Sequence, residues 1–204
     1  MKIDSYSMSF TTGSLFRQES VQVAALFLEY QDWNKVRDRV LSENLLQFRT
    51  MNTLKRVCRE IFSRLKTLSP DELTLLVHST TQEKGHLLWL AICRRYKFIE
   101  DFAIEILRER YLTLKKELPY EEFDAFFSKK SDWHEKLNTI KPATKAKLRQ
   151  TLFKMLREAD LLTGNNIIQA AMLSPKLLRA VQQENKDSIL IFPTMEPKLV
   201  GAGI

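Results

Sequence analysis

The sequence is short of the residues that break helices and that build disulfide or metal sites. It has five glycines and six prolines in 204 residues, and this scarcity favours long uninterrupted helices over strands and turns. Its two cysteines, Cys58 and Cys93, each lie inside an apolar helical pattern, with no second cysteine or histidine at ligand spacing. We therefore expect two reduced, buried thiols and no metal site.

Long apolar runs are also missing. The longest covers residues 87–93, whereas a membrane-spanning helix needs about 20 apolar residues. Residues 1–10 are polar and mixed, with neither the apolar centre nor the cleavage site of a signal peptide. The sequence therefore predicts no membrane insertion and a cytoplasmic location.

Residues in catalytic arrangements are equally scarce. The three histidines, His78, His86 and His134, are scattered, and we expect His78 and His86 to be a pair on the surface. Gly13 and Gly85 stand alone, so neither the phosphate-binding loop nor the dinucleotide-binding fingerprint is present. We predict a protein that is not an enzyme, with no catalytic residues, no metal, no cofactor and no small-molecule substrate.

Apolar residues recur at helical spacing along almost the whole chain. The clearest stripe lies in residues 51–68 and consists of Leu54, Val57, Cys58, Ile61, Leu65 and Leu68. We expect Ser14 or Thr12 to cap the first helix, Asp32 the second and Ser69 a short fourth one. Further helices are predicted at 82–96, 100–115, 120–127, 144–159 and 174–184. The pattern predicts an all-α protein, a compact multi-helix bundle.

Strand signals are confined to the C-terminal part. Residues 163–166 form a turn signal between two apolar pairs, as in a small hairpin, and residues 188–192 are the one segment typical of a strand. We expect at most a small hairpin or strand near 161–193. The polar stretch 128–142 divides an N-terminal helical bundle (1–127) from a C-terminal helical lobe (128–204) with a wing-like hairpin, the two packed as one unit.

Positive charge is abundant and concentrated in two segments. The net charge is +7, which favours polyanionic partners. Residues 49–66 carry Arg49, Lys55, Arg56, Arg59, Arg64 and Lys66 against the single acid Glu60. Residues 141–157 carry no acid and six bases: Lys141, Lys145, Lys147, Arg149, Lys154 and Arg157.

These two segments are the candidate nucleic-acid-binding sites. Solvated helices usually mix charges of both signs, because like charges four residues apart repel each other. A bound phosphate backbone would relieve that repulsion; the alternative is a basic face that only meets solvent. The sequence favours binding by 141–157 and leaves the two possibilities even for Arg49, Lys55, Arg56 and Arg59, since acids on neighbouring helices could pair with them. We expect double-stranded DNA to be bound with little sequence specificity.

The order and spacing of several short motifs resemble those of the BrxA family over nearly the full chain. These motifs are Ser9-Phe10-Thr11-Thr12-Gly13-Ser14-Leu15, Asp32-Trp33, Asn44-Leu45-Leu46-Gln47-Phe48-Arg49-Thr50, Lys55-Arg56, Arg59-Glu60-Ile61, Leu88-Trp89-Leu90-Ala91, Asp101-Phe102 and Thr144-Lys145-Ala146-Lys147-Leu148-Arg149-Gln150. The resemblance implies an accessory protein of BREX bacteriophage-defence systems, all-helical and similar to the NusB fold. It also implies that the protein binds double-stranded DNA and works beside other BREX components.

A second function stays open from the residues alone. The chain could be a protein–protein adaptor that assembles a defence complex without touching nucleic acid. Its docking surface would then be an apolar patch made of Phe123, Phe126 and Phe127, or the edge of the strand predicted at 188–192.

Overall fold

The computed structural model describes residues 6–11 and 13–195, and most of this part of the chain is helical. Its α-helices are α1 (Arg17–Tyr30), α2 (Trp33–Ser42), α3 (Met51–Leu65), α4 (Pro70–His78), α5 (Thr81–Arg95), α6 (Lys97–Phe102), α7 (Glu109–Leu112), α8 (Tyr120–Ser131), α9 (Glu135–Asn138), α10 (Pro142–Glu158) and α11 (Pro175–Glu184). A π-helical segment, Ala103–Arg108, joins α6 to α7. The all-α prediction is confirmed.

Several of the predicted helix starts are also confirmed. The Asp32 carboxylate accepts the backbone N–H groups of Asn34 and Lys35. Ser69 and Glu72 form a reciprocal capping box at the start of α4, which satisfies two otherwise unpaired backbone groups. The prediction for α10 is wrong by two residues, because Pro142 takes the first helical position and Lys141 precedes it.

The first helix does not begin as predicted. It starts at Arg17, after Phe16 in a left-handed conformation with φ of 53°, and no side chain caps it. The Ser14 hydroxyl instead accepts the Phe16 N–H at 3.2 Å and donates to Glu158 at 3.1 Å. Its alternative, Thr12, lies outside the described residues.

The strand predicted at 188–192 is wrong. Lys186–Ile191 is a 3-10 helix, whose N-terminus is capped by the Asn185 side chain. Ile191 and Phe192 are buried in the core, and the Ile191 carbonyl oxygen accepts the indole N–H of Trp89 at 3.2 Å. Burial among helices, with no neighbouring strand to pair with in the described chain, overrides the β-propensity of these residues.

The turn predicted at 163–166 is present, but it does not lead into a ladder. Thr163 donates its N–H to the Ile167 carbonyl, and the two isolated antiparallel bridges join Leu162 to Ile168 and Glu117 to Ile167. Among the described residues the predicted wing is thus a single bridged turn rather than a hairpin.

Helix α5 lies at the centre of the core. Residues 85–93 are all buried, and Trp89 is fully enclosed. α3, α4 and α10 all pack against α5. The same core includes Phe10 near the N-terminus and Phe192 near the end of the described chain. The amphipathic helices around α5 therefore bury their apolar faces inward and present their charged faces to solvent.

Candidate nucleic-acid interface

The outer face of α3 is built by its buried stripe. Thr50 caps the helix by accepting the Thr53 N–H at 3.2 Å, and five apolar side chains turn inward: Leu54, Val57, Cys58, Ile61 and Leu65. Since side chains three and four residues apart share a face, the bases between them are forced outward. Lys55, Arg56, Arg59 and Lys66 are all exposed, as is Arg49 just before the helix.

These exposed bases have no acidic partners in the part of the chain that the structure describes. Among the described residues, no carboxylate lies within ion-pairing distance of Arg49, Lys55, Arg56 or Arg59, and Lys66 contacts only the ring of Trp33, 5.9 Å from its centroid. We name the set Arg49, Lys55, Arg56, Arg59 and Lys66 the α3 basic face. When these bases neutralise phosphates, the counterions condensed on the DNA are released, which favours binding.

The single acid of this segment is already occupied. The Glu60 carboxylate pairs with Arg64 at 2.8 Å and accepts the Tyr96 hydroxyl at 2.5 Å. Arg64 is only 2% exposed and also donates to the Ser14 carbonyl at 2.7 Å. Arg64 and Glu60 thus join α3 to its neighbours inside the fold and neither neutralise nor enlarge the α3 basic face.

Helix α10 presents a different arrangement, because acids from elsewhere in the fold reach it. Asp124 of α8 pairs with Lys145 at 3.4 Å and with Arg149. The two cations also lie over aromatic rings, Lys145 over Phe127 at 4.9 Å and Arg149 over Tyr120 at 5.4 Å. Both side chains therefore hold α8 against α10.

Two more bases of α10 are engaged near its C-terminal end. Arg157 donates to the Tyr120 hydroxyl at 2.9 Å and to the Asn166 side chain at 2.6 Å. Lys154 lies 3.7 Å from Glu158, whose carboxylate also accepts the Leu15 N–H at 2.6 Å. Two bases of this segment, Lys141 and Lys147, have neither an acidic partner nor a bond to a neighbouring helix in the described chain. The Lys147 ammonium donates to the Gln150 side chain at 3.3 Å.

In the described chain, acids therefore pair with more of the bases in 141–157 than with the exposed bases in 49–66, which the charges along the sequence do not reveal. Residues 141–157 contain no acid, but the fold supplies Asp124 and Glu158 as partners. For the exposed bases of residues 49–66, no acid on a neighbouring helix of the described chain comes within ion-pairing distance. No signal within α10 itself predicts Asp124, because it lies on another helix and reaches α10 only through packing.

A groove runs between α2 and α3, beside the α3 basic face. Its volume is about 520 Å³. Trp33, Leu41, Cys58 and Phe62 contribute its apolar lining, and Arg37, Lys55, Arg59 and Lys66 its bases. Burial raises the pKa of the Cys58 thiol to about 11, so this side chain is neutral. The spacing of residues 55, 59, 62 and 66 places them on one side of a helix, but it does not by itself predict a groove beside them.

The positions of His78 and His86 contradict one prediction. His78 is exposed, but His86 is completely buried, so the two do not form a surface pair. Burial lowers the pKa of His86, and neither ring nitrogen has a hydrogen-bond partner among the described residues. No group of three His, Cys, Asp or Glu side chains in residues 6–11 and 13–195 is placed to hold a metal ion.

Both docking surfaces predicted for an adaptor are absent from the exterior. Phe123, Phe126 and Phe127 are buried in the core, because they pack around Phe98. The 188–192 segment is largely buried and helical. The large apolar side chains that are exposed lie elsewhere, with Trp133 at 72% and Met172 at 70%.

None of the described helices is both long and apolar enough to span a membrane.

Comparison with known proteins gives consistent matches. A solved structure, the crystal structure of an uncharacterized protein from Magnetospirillum magneticum, superposes with a TM-score of 0.80 at 19% identity, covering 94% of this chain and 99% of that one. That likeness shows the fold alone.

Curated relatives carry one common name. A protein named "BREX protein BrxA" from Escherichia coli O9:H4 (strain HS) is 26% identical over 180 residues, covering 87% of this chain and 84% of its own length. One with the same name from Paramagnetospirillum magneticum (strain ATCC 700264 / AMB-1) is 21% identical over 187 residues, covering 91% and 94%. The BrxA family model matches residues 4–185. The chain therefore belongs to the BrxA family.

Proposed function

We propose that this protein is a non-catalytic accessory protein of a BREX defence system that binds duplex DNA through the α3 basic face. The relatives named "BREX protein BrxA" support the first part of the proposal. The observation that carries the second part is the charge of α3. Five exposed bases lie in residues 49–66, and no described acid neutralises any of them.

A rigid basic helix suits contacts to the phosphate backbone. The α3 side chains are long and point into solvent, so each can approach a phosphate without rearranging the core. Phosphate contacts fix a protein on the duplex but carry no sequence information. Binding is therefore expected with little sequence preference, and Lys141 and Lys147 of α10 are expected to add at most a secondary contribution.

Protein partners remain part of the proposal. Family membership favours work beside other BREX components, and the exposed Met172 borders an open pocket with Leu173 and Leu178. This second surface would serve the adaptor function, which does not exclude DNA binding. The observation favouring DNA binding is stronger, because five exposed bases without an acidic partner among the described residues can each neutralise a phosphate and release its condensed counterion.

The test is a salt titration of binding to a random-sequence duplex. If the five bases of the α3 basic face each neutralise one phosphate, log K should fall with log salt at a slope of about −4 to −5. A duplex of different sequence should bind equally well. No binding at about 50 mM salt, or a slope near zero, would contradict the proposal and leave the adaptor function.

A further inference from the structure

We propose that the groove between α2 and α3 binds a single-stranded nucleic-acid segment, with one unpaired base stacked on Trp33. The inference rests on the proposed function, because it assigns a preferred form of nucleic acid to the same basic surface. Duplex contacts require only the outward bases of α3. The groove beside them has the features of a site for an unpaired base.

The first feature is an aromatic ring that neighbouring side chains hold in the wall of the groove. Phe27 stacks on one face of the Trp33 indole, with centroids 3.9 Å apart and planes 14° apart. Phe62 meets the indole at 66°, with centroids 5.5 Å apart. The indole is thereby held in place, and a base can stack only on the face opposite Phe27, where it takes the place of the Lys66 ammonium that lies over the ring, 5.9 Å from its centroid. A fixed ring loses little conformational entropy on binding, which favours its use as a stacking platform.

The second feature is the charge around the opening. Lys55, Arg59 and Lys66 follow one side of α3 at spacings of four and seven residues, over roughly 16 Å of helix length. Arg37 approaches from α2. One acid, Asp38, also lines the groove, but its side chain is 71% exposed and it lies 3.5 Å from Arg37. The four bases therefore outweigh the acid and can follow a phosphate backbone along the groove.

The combination distinguishes nucleic acid from a protein partner. A basic groove that follows a backbone, with an aromatic ring set in its wall, is the arrangement by which proteins bind single strands without sequence preference. The volume of about 520 Å³ leaves room for a base beside the ring. An acidic peptide would match the charges, but it would not need a flat aromatic face.

The first experiment compares two oligonucleotides of equal length and charge. Oligo(dT) carries bases, whereas an abasic oligonucleotide presents the same phosphates without them. We expect oligo(dT) to bind at least about fivefold more tightly, the lower end of what one stacked base contributes. Equal affinities would overturn the inference while leaving duplex binding intact. Failure of oligo(dT) and duplex alike would instead contradict the proposed function.

The second experiment observes the platform directly. In a Trp133→Phe background, Trp33 is the remaining partly exposed indole, because Trp89 is fully buried. Oligo(dT) should quench its fluorescence, and the abasic oligonucleotide should do so much less. Equal quenching by an acidic peptide of matched charge would overturn the assignment to nucleic acid.

A substitution completes the test. Trp33→Leu keeps an apolar side chain against Phe27 and Phe62 but removes the stacking face. It should abolish the preference for oligo(dT) over the abasic oligonucleotide while leaving duplex affinity within about twofold. A retained preference would overturn the inference. If the thermal midpoint shows that this variant does not fold, the abasic comparison on the unaltered protein decides the matter.

Discussion

Reversing two charges on α3 gives the sharpest test of where DNA is bound. In the variant Arg56→Glu/Arg59→Glu both side chains are exposed and have no acidic partner in the described chain. Folding should be nearly unaffected, since exposed substitutions of this kind usually change the free energy of unfolding by less than about 0.5 kcal/mol. Affinity for duplex DNA should fall strongly.

The magnitude follows from counterion release. Each lost phosphate contact removes about 0.9 from the slope of log K against log salt, so two lost contacts flatten it by about two units. If the contacts contribute only counterion release relative to 1 M salt, affinity falls about 60-fold at 0.1 M and about 18-fold at 0.2 M. Repulsion between the new carboxylates and the phosphates increases the loss.

Two matched variants locate the effect. Lys147→Glu/Lys154→Glu changes α10, where Lys154 is already 3.7 Å from Glu158, and it should reduce affinity less than the α3 variant. Lys176→Glu/Arg179→Glu changes two exposed bases of α11 and should leave binding almost unchanged. All three variants lower the net charge from +7 to +3. Fluorescence polarisation with a labelled duplex measures each slope.

Three outcomes would refute this reasoning. Should the α10 variant lose more affinity than the α3 variant, ion pairing such as that of Lys154 with Glu158 is the wrong guide to function. Equal losses in all three variants would mean that overall charge attracts DNA and no face is preferred. Unchanged binding in all three would leave both basic segments as solvated surface.

Three further predictions concern the core. Trp89→Ala should lower the free energy of unfolding by about 3–5 kcal/mol through the cavity it leaves, and an unchanged thermal midpoint would show that α5 is not central. Arg94→Ala leaves the fully buried Glu72 carboxylate without its cation, bonded at 2.7 and 2.9 Å; urea unfolding should show a loss of about 3–5 kcal/mol, against under about 1 kcal/mol for the exposed Lys97→Ala. Burial lowers the pKa of His86, so below about pH 6.5 the unfolded chain binds a proton at this side chain more readily than the folded one. As the pH is lowered from about 6.5, the free energy of unfolding should therefore fall by up to about 1.4 kcal/mol for each pH unit. His86→Phe should remove that part of the pH dependence; an identical pH profile would contradict the explanation.

Local periodicity accounts for the part of the fold that could be predicted. The α3 stripe of Leu54, Val57, Cys58, Ile61 and Leu65 is set by spacing within one helix, and all five side chains are buried. Caps such as Ser69 and Asp32 are equally local, because the side chain bonds a backbone group two or three residues away.

Tertiary packing accounts for the failures. Ser14 could cap a helix by its sequence position, yet its hydroxyl bonds Glu158, 144 residues further along the chain. Residues 188–192 have the composition of a strand but take a 3-10 helix, because Ile191 fits beside Trp89. Phe123, Phe126 and Phe127 form an apolar face that another part of the chain covers.

The same cause explains why the sequence alone does not show which of the two basic segments keeps its charge at the surface. Both basic segments contain six bases, but the surface charge that a ligand meets is what remains after folding. In residues 49–66 the fold buries Arg64 and pairs it with the one acid of the segment, Glu60, so that the other five bases stay exposed. In α10 it supplies Asp124 and Glu158, so that Lys145, Arg149 and Lys154 serve the packing of α10 against its neighbours. A phosphate approaching α10 would have to compete with carboxylates already in place, whereas at α3 no carboxylate of the described chain competes with it, and this difference in competition is the physical reason to propose DNA on α3.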